Sequence, residues 1–384
     1  MVSTRRSKVA VAICGSYDNE KVYRAVSGAI WALGGIESFV SPSERILVKP
    51  NLLYPSESER VITTHPAVIG AVLRLLAEAG CGSVSIGDSP ANGNCVGALQ
   101  KLGLTEDSLC GARIADMSHE VTFEYPEGKT ARRFYFAREV TESDAIIGVC
   151  KMKTHMLERV TGALKNMYGL VCGFRKAVGH TTYNNAAVFA RMLCDLYKAT
   201  PQRLHVMDGV VAMEGNGPAS GDPVSMNVIL ASSDPIALDS VFCRLVYLSP
   251  KLVPTNVYGA LAGIGTFEES EIDLVLIDED GGESSVSMKE LVERCGNPDF
   301  DVLREGEKLN VLTLLARITG GKRKPVIDPA RCVKCGVCVD HCPVEGKAVS
   351  FASGRSEPPV YNYKKCIRCY CCQEVCPKKA ISVR

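Results

Sequence analysis

Short apolar runs alternate with longer stretches of helical period along most of the chain. Residues 8–14, 45–48, 83–86, 145–149, 204–207 and 228–231 are strand-like. Residues 20–33, 66–79, 185–198 and 235–247 repeat their apolar positions with helical spacing. Thr64 or His65 opens the second of these helices and Gly80 closes it. Asp234 caps the last, with Pro235 at its first position, and Asp239 lies one turn in, within reach of a cleft. This alternation predicts an α/β domain, a mostly parallel sheet with helices on both faces.

Several of these strands run into a polar residue at the carboxyl end: Asn51, Asp88, Lys153 and His155, Asp208, Asp234. Open α/β sheets bind ligands outside that edge, so these side chains are expected around one cleft. The stretch 151–180 is expected as a functional loop carrying Lys153, His155, Thr161, Lys165, Asn166, Lys176 and His180. Lysines and two histidines there suit clamping an anionic group or, less well, ligating a metal through His155 and His180. Lys153, His155 and Lys165 are the candidates to bind or protonate a substrate. Asp208 and Glu214 are candidate acid/base groups or hard-metal ligands. Asn51, Asp88, Asn166, His180 and Asn216 are candidate substrate contacts. Around Asn216 the glycines 215, 217 and 221 miss the spacing of G-x-G-x-x-G, and Pro218 and Pro223 prevent an immediate helix. No nicotinamide or flavin fingerprint is visible.

The C-terminus adds a different chemistry. Cys332, Cys335, Cys338 and Cys342-Pro343 follow the bacterial ferredoxin spacing, which returns at Cys366, Cys369, Cys372 and Cys376-Pro377. Two such runs imply two 4Fe–4S clusters, with each fourth thiolate supplied by the other run. One cluster is then assigned to Cys332, Cys335, Cys338 and Cys376, the other to Cys366, Cys369, Cys372 and Cys342. Zinc and disulfides are the weaker readings of these cysteines. Cys371 is expected as a free thiol, able to replace Cys372 if the loop slips, and His341 as a residue tuning potential or packing. Of the chain's 18 cysteines, those outside the two runs show no metal spacing, which fits a reducing cytoplasm.

The chain has 384 residues, enough for two or three domains; residues 1–321 are expected to form the α/β unit and 322–384 an α+β ferredoxin-like module. Lys322, Arg323 and Lys324 are expected as a solvated linker. With 44 basic against 43 acidic residues, nothing argues for nucleic acid or a membrane surface. The first apolar run is too short for a secretory signal, and no stretch reaches the roughly 18 apolar residues of a membrane span. The expected location is therefore cytoplasmic.

The segments 48–53 (VKPNLL), 86–90 (IGDSP), 151–155 (KMKTH), 161–169 (TGALKNMYG), 208–218 (DGVVAMEGNGP) and 231–241 (ASSDPIALDSV) together resemble the family called domain of unknown function 362. Its members often end in a ferredoxin domain with two 4Fe–4S clusters, so the resemblance implies an iron–sulfur protein but no substrate. The leading expectation is a redox protein passing single electrons between a soluble carrier and a small molecule in the α/β cleft, with the ferredoxin module over the cleft mouth. The alternatives are a non-enzymatic electron-transfer subunit that docks a partner and a carrier of clusters or metal.

Overall fold

The computed structural model describes residues 6–304, Phe174 excepted, and 323–384. The expected boundary at 321/322, and Lys322 with it, lies outside the described residues. The strands in chain order begin with β1 (Ser7–Ile13), β2 (Ile46–Pro50), β3 (Val84–Ile86) and β4 (Arg113–Ile114). A separate hairpin, β5 (Glu120–Glu124) and β6 (Arg133–Ala137), interrupts them. The sheet resumes with β7 (Ala145–His155), β8 (Arg159–Thr161), β9 (Gln202–Glu214), β10 (Asp222–Ser232), β11 (Ile272–Ile277) and β12 (Glu283–Val286). Their order is β12-β11-β1-β10-β9-β7-β2-β3-β4, with β8 against β7. The run β9-β7-β2-β3-β4 is parallel throughout, as is β1 with β11; β10 is antiparallel to both neighbours.

Alternation along β1 gives each face of the sheet its own core. Ala10 and Ala12 pack with Val22, Val26 and Ile30 of the helix Asn19–Ala32 and with Val68 and Val72 of the helix Pro66–Glu78. Val9 and Val11 pack with Leu238, Val241 and Phe242 of the helix Pro235–Leu245. Helices therefore cover both faces, as the α/β reading requires. The caps follow local chemistry. Asp234 accepts from the Ile236 and Ala237 N–H groups ahead of Pro235, and His65 Nδ1 accepts from Ala67 N–H at 3.2 Å.

Two stretches expected as loops begin as strand. β7 runs on through residues 151–155, and all eleven of its residues are buried. The polar residues there repeat at period two: Cys150 and Met152 enter one core, while Lys151, Lys153 and His155 take the opposite face. The glycine-rich stretch 208–223 likewise continues β9 to Glu214 and resumes as β10 at Asp222, the two ends paired. Only the turn between them is irregular.

The C-terminal part is small. β13 (Pro325–Ile327) pairs antiparallel with β16 (Ile381–Val383), and β14 (Val349–Ser350) with β15 (Val360–Tyr361). Single helical turns, Val337–Asp340 and Cys371–Glu374, lie between these strands. Lys324 is not a solvated linker residue: its N–H donates to Arg384 O and its carbonyl accepts from Arg384 N–H, extending the β13–β16 ladder. Among the described residues no helix is long and apolar enough to cross a membrane.

Glu158, between β7 and β8, is fully buried, and neither carboxylate oxygen has a hydrogen-bond partner among the described residues. Burial pushes its carboxyl up to about 8, against a nearby Lys165 that works the other way. The folded state then holds a proton that the unfolded chain releases above its ordinary carboxylate value, so stability falls as pH rises from about 4.5 to 8. Glu158→Gln should remove that slope, which is at most about 1.4 kcal/mol per pH unit. Melting curves from pH 5 to 8 should show the variant gaining on the parent as pH rises, and parallel curves would contradict the buried neutral acid.

Candidate functional site

A cavity of about 330 Å³ opens where the carboxyl ends of β2 and β3 meet the segment 161–180 and the C-terminal turn. Lys49, at the end of β2, is almost wholly buried. Its Nζ lies 2.9 Å from Asp88 Oδ1 and donates to Pro50 O at 2.8 Å and to Asn166 Oδ1 at 3.0 Å. Burial lowers the Lys49 pKa and the Asp88 charge opposes that shift. Asp88 Oδ2 accepts from Leu52 N–H at 2.7 Å, which fixes the carboxylate across two strand ends. Gly169 lies against this pair: a Cβ there would stand 1.8 Å from Asp88 Oδ1 and 2.7 Å from Lys49 Nζ.

Lys153 lies beneath the floor. Its Nζ donates to Asn51 Oδ1 and Ile62 O, both at 2.7 Å, and burial followed by Lys165 drives its pKa well down. Asn51 in turn donates to Asn166 Oδ1 at 3.3 Å. His155 Nδ1 accepts from the Leu157 and Glu158 N–H groups at 3.1 Å, so the ring proton sits on Nε2, 3.0 Å from Glu374 Oε1. Burial holds the His155 pKa near 4, leaving a neutral imidazole against that carboxylate.

The remaining wall comes from 161–180. Lys176 Nζ donates to Ser89 O, to Ser89 Oγ at 2.8 Å and to Val171 O at 3.3 Å, and burial lowers its pKa to about 8. Lys165 is half-buried and makes no hydrogen bond or ion pair with any described residue. Its helical turn, Ala163–Asn166, is held by the buried Asp239, which accepts from Ala163 N–H at 2.6 Å and Leu164 N–H at 3.3 Å. Burial raises the Asp239 carboxyl to about 7. Thr161 and His180 also line the cavity.

Of the residues singled out from sequence, Asn51, Asp88, Lys165, Asn166 and His180 line the cavity, and Lys153 and His155 lie directly behind it. Asp208, Glu214 and Asn216 are elsewhere. Asp208 is fully buried in a second network, accepting from Tyr17 OH at 2.8 Å, Lys151 Nζ at 2.7 Å and His65 N–H at 2.9 Å. The Tyr17 and His65 rings stack 3.6 Å apart beside it. Glu214 Oε2 accepts from Asp301 N–H at 2.8 Å. Asn216 receives the C-terminal part. Gln373 Nε2 donates to Asn216 O at 2.8 Å and Gly217 O at 3.2 Å, and Asn216 Nδ2 donates to Ile381 O at 3.0 Å. Lys379 Nζ reaches Gly221 O at 2.6 Å. The turn between β9 and β10 is thus a docking seat.

Sequence reasoning placed the ferredoxin module over the cleft mouth and gave His341 and Cys371 other roles, but it did not pick out Glu374 and Val375; all four wall the cavity. It also left Lys49 and Ser89 unassigned, although both adjoin residues that were chosen.

The two cysteine runs interleave. Cys332, Cys335, Cys338 and Cys376 line one small cavity. Burial raises the Cys338 thiol to about 12, with Cys376, Cys335 and Cys332 adding to the shift. Cys366 is raised by burial, with Cys369 and Cys342 as neighbours. Cys372 is buried and accepts from Tyr361 OH at 3.1 Å. Cys371 lines the larger cavity and its thiol also lies against Cys369. Among the described residues no three His, Cys, Asp or Glu side chains converge as a single-ion site would require. Four thiols around one space, drawn from both runs, fit the donor set of a 4Fe–4S cluster.

Residues 46–244 match the family DUF362, a domain of unknown function, and residues 324–377 match a 4Fe-4S dicluster domain. A thylakoid-associated protein from Synechocystis sp. is 33% identical over 250 residues, covering 62% of this chain and 74% of that protein. Among solved structures, the lactate racemase apoprotein from Thermoanaerobacterium thermosaccharolyticum aligns at 13% identity with a TM-score of 0.41, covering 64% of this chain and 58% of its own. A protein from Thermotoga maritima aligns at 12% identity with a TM-score of 0.36, covering 64% and 59%. The chain thus spans less than two thirds of either solved structure.

The Lys49–Asp88 pair yields a prediction. Removing one partner of a buried pair strands the other charge. Asp88→Asn should lower unfolding stability by roughly 3 kcal/mol in urea titrations. An unchanged midpoint would mean that the pair is not charged.

Proposed function

The chain belongs to the DUF362 family and carries a 4Fe-4S dicluster domain, and from that premise we propose that it passes single electrons between a soluble carrier and a small molecule held in the cavity. The observation that carries this reading is the shared segment 371–375. Cys371, Glu374 and Val375 wall the cavity, while Cys372 and the following Cys376 belong to the ferredoxin spacing. A molecule in the cavity would sit against the backbone that holds the cysteines.

On this reading there are two clusters, one held by Cys332, Cys335, Cys338 and Cys376, the other by Cys342, Cys366, Cys369 and Cys372. When bound, they would supply one-electron transfer between the carrier and the cavity. The protein's own residues do the rest. Lys49, Asn51, Asn166 and Lys176 set the shape and polarity of the floor. Lys165 and His180 face the ligand, and the docked turn with Glu374 shields it from water.

The carrier meets the C-terminal part, where residues 323–384 hold twelve Lys and Arg against five Asp and Glu. Such a surface suits an acidic redox protein, which complementary charge would steer into contact. Cys335 and Val333 are exposed on it, beside the first set of thiols.

Anaerobically purified protein should contain about eight irons per chain and give an interacting two-cluster paramagnetic signal after reduction. Cys372→Ser should lose about half of that iron, whereas Cys371→Ser should keep it. Zinc in place of iron, with no reducible signal, would overturn the redox reading. Loss of iron from the Cys371 variant alone would exchange the two neighbours as ligands.

A further inference from the structure

We propose that the cavity takes a small organic anion, its carboxylate or phosphate group held by the Lys165 ammonium, the Thr161 hydroxyl and the His180 imidazole. This rests on the reading of the cavity as a ligand site and adds the ligand's chemical class.

Charge supplies the first argument. Three lysines line the cavity, Lys49, Lys165 and Lys176, against two carboxylates, Asp88 and Glu374. Lys49 and Asp88 pair with each other. Lys176 is satisfied only by neutral oxygens of Ser89 and Val171, and Lys165 by no described residue. Glu374 can balance one of these two lysines, Lys165 being the one that acts on it, and one positive charge is left over. Cations withdrawn from water without counter-charge are costly, and an anion entering the cavity offsets that cost.

Unmet hydrogen bonds supply the second. Thr161 Oγ1 and His180 Nδ1 are buried atoms of cavity-lining residues with no hydrogen-bond partner among the described residues. Buried polar atoms of this kind are uncommon and call for one. The His180 ring is not free to turn away, since it stacks on Phe189 at 4.7 Å and meets the Tyr168 ring edge-on at 5.7 Å. Lys165 also lowers the pKa values of Lys153, His155 and His180, so its charge is felt by groups on several sides of the site. A hydroxyl, an imidazole nitrogen and an ammonium make a set that a carboxylate or phosphate can engage together. A volume of about 330 Å³ lies at the small end for ligand pockets and suits a metabolite-sized molecule rather than a dinucleotide.

The test is calorimetric titration of the anaerobic, cluster-loaded full chain with malonate, inorganic phosphate and the neutral malonamide. At least one anion should bind at millimolar concentration or below, at least about tenfold more tightly than malonamide. Tighter malonate assigns a carboxylate ligand and tighter phosphate a phosphorylated one. Lys165→Gln should weaken that anion about tenfold and Thr161→Val several-fold. Lys165 is half-buried and unpaired, so its variant should fold, and an unchanged cluster signal checks this. Malonamide binding as well as malonate, unaltered anion affinity in Lys165→Gln, or no anion binding at all would each overturn the assignment. Iron content and the reducible signal of the same sample report on the redox reading separately, so either idea can fail alone.

Discussion

The contact between the helical turn Cys371–Glu374 and the ends of β7 and β9 is the constraint on which the site depends. Gln373 reads the backbone of the turn after β9, and Glu374 lies 3.0 Å from the buried His155 near the end of β7. The tautomer of His155 is set by two backbone N–H groups on Nδ1, which turn its remaining proton toward Glu374. Without this docking the cavity would lack its C-terminal wall, and Lys153, His155 and His180 would lie nearer water. With it, the cysteine run and the α/β ligand site share one stretch of backbone.

Burying so many lysines at one sheet edge requires compensation, and the protein uses two kinds. Lys49 and Lys151 meet carboxylates, Asp88 and Asp208. Lys153 and Lys176 meet carbonyl, amide and hydroxyl oxygens. The first kind locks strand ends together, and each carboxylate opposes the fall in lysine pKa that burial causes. The second leaves charge uncompensated, which burial and mutual repulsion express as lowered pKa values. The carboxylate-paired lysines thus define the scaffold, and Lys176, with Lys165, gives the cavity its positive character.

Asp208 shows why a polar strand end is not by itself a ligand contact. It is on the expected edge, yet Tyr17, Lys151 and the His65 backbone satisfy both of its oxygens, tying the loop after β1, β7 and the start of the helix Pro66–Glu78 to β9. A fully satisfied, fully buried carboxylate has no remaining capacity for substrate. Asp239 acts in a similar way from the other face, orienting the turn that carries Lys165 and Asn166.

The amino-acid sequence alone determined the alternation of strand and helix, the two sets of cysteines, and most of the polar residues at the cavity, because these depend on local periodicity and spacing. It also contained the period-two pattern of Lys151, Lys153 and His155 that makes residues 151–155 strand, though a polar run after an apolar one reads first as a loop. What only the tertiary structure decided was which polar ends converge. That choice follows from strand order, which inserts β10 and β9 between β1 and β7, and from the docking of the C-terminal turn on Asn216. Lys165 and Asp208 are both charged residues near strand ends in sequence. Only packing leaves the one half-buried without a partner and surrounds the other with donors, because hydrogen-bond satisfaction is set by neighbours distant along the chain.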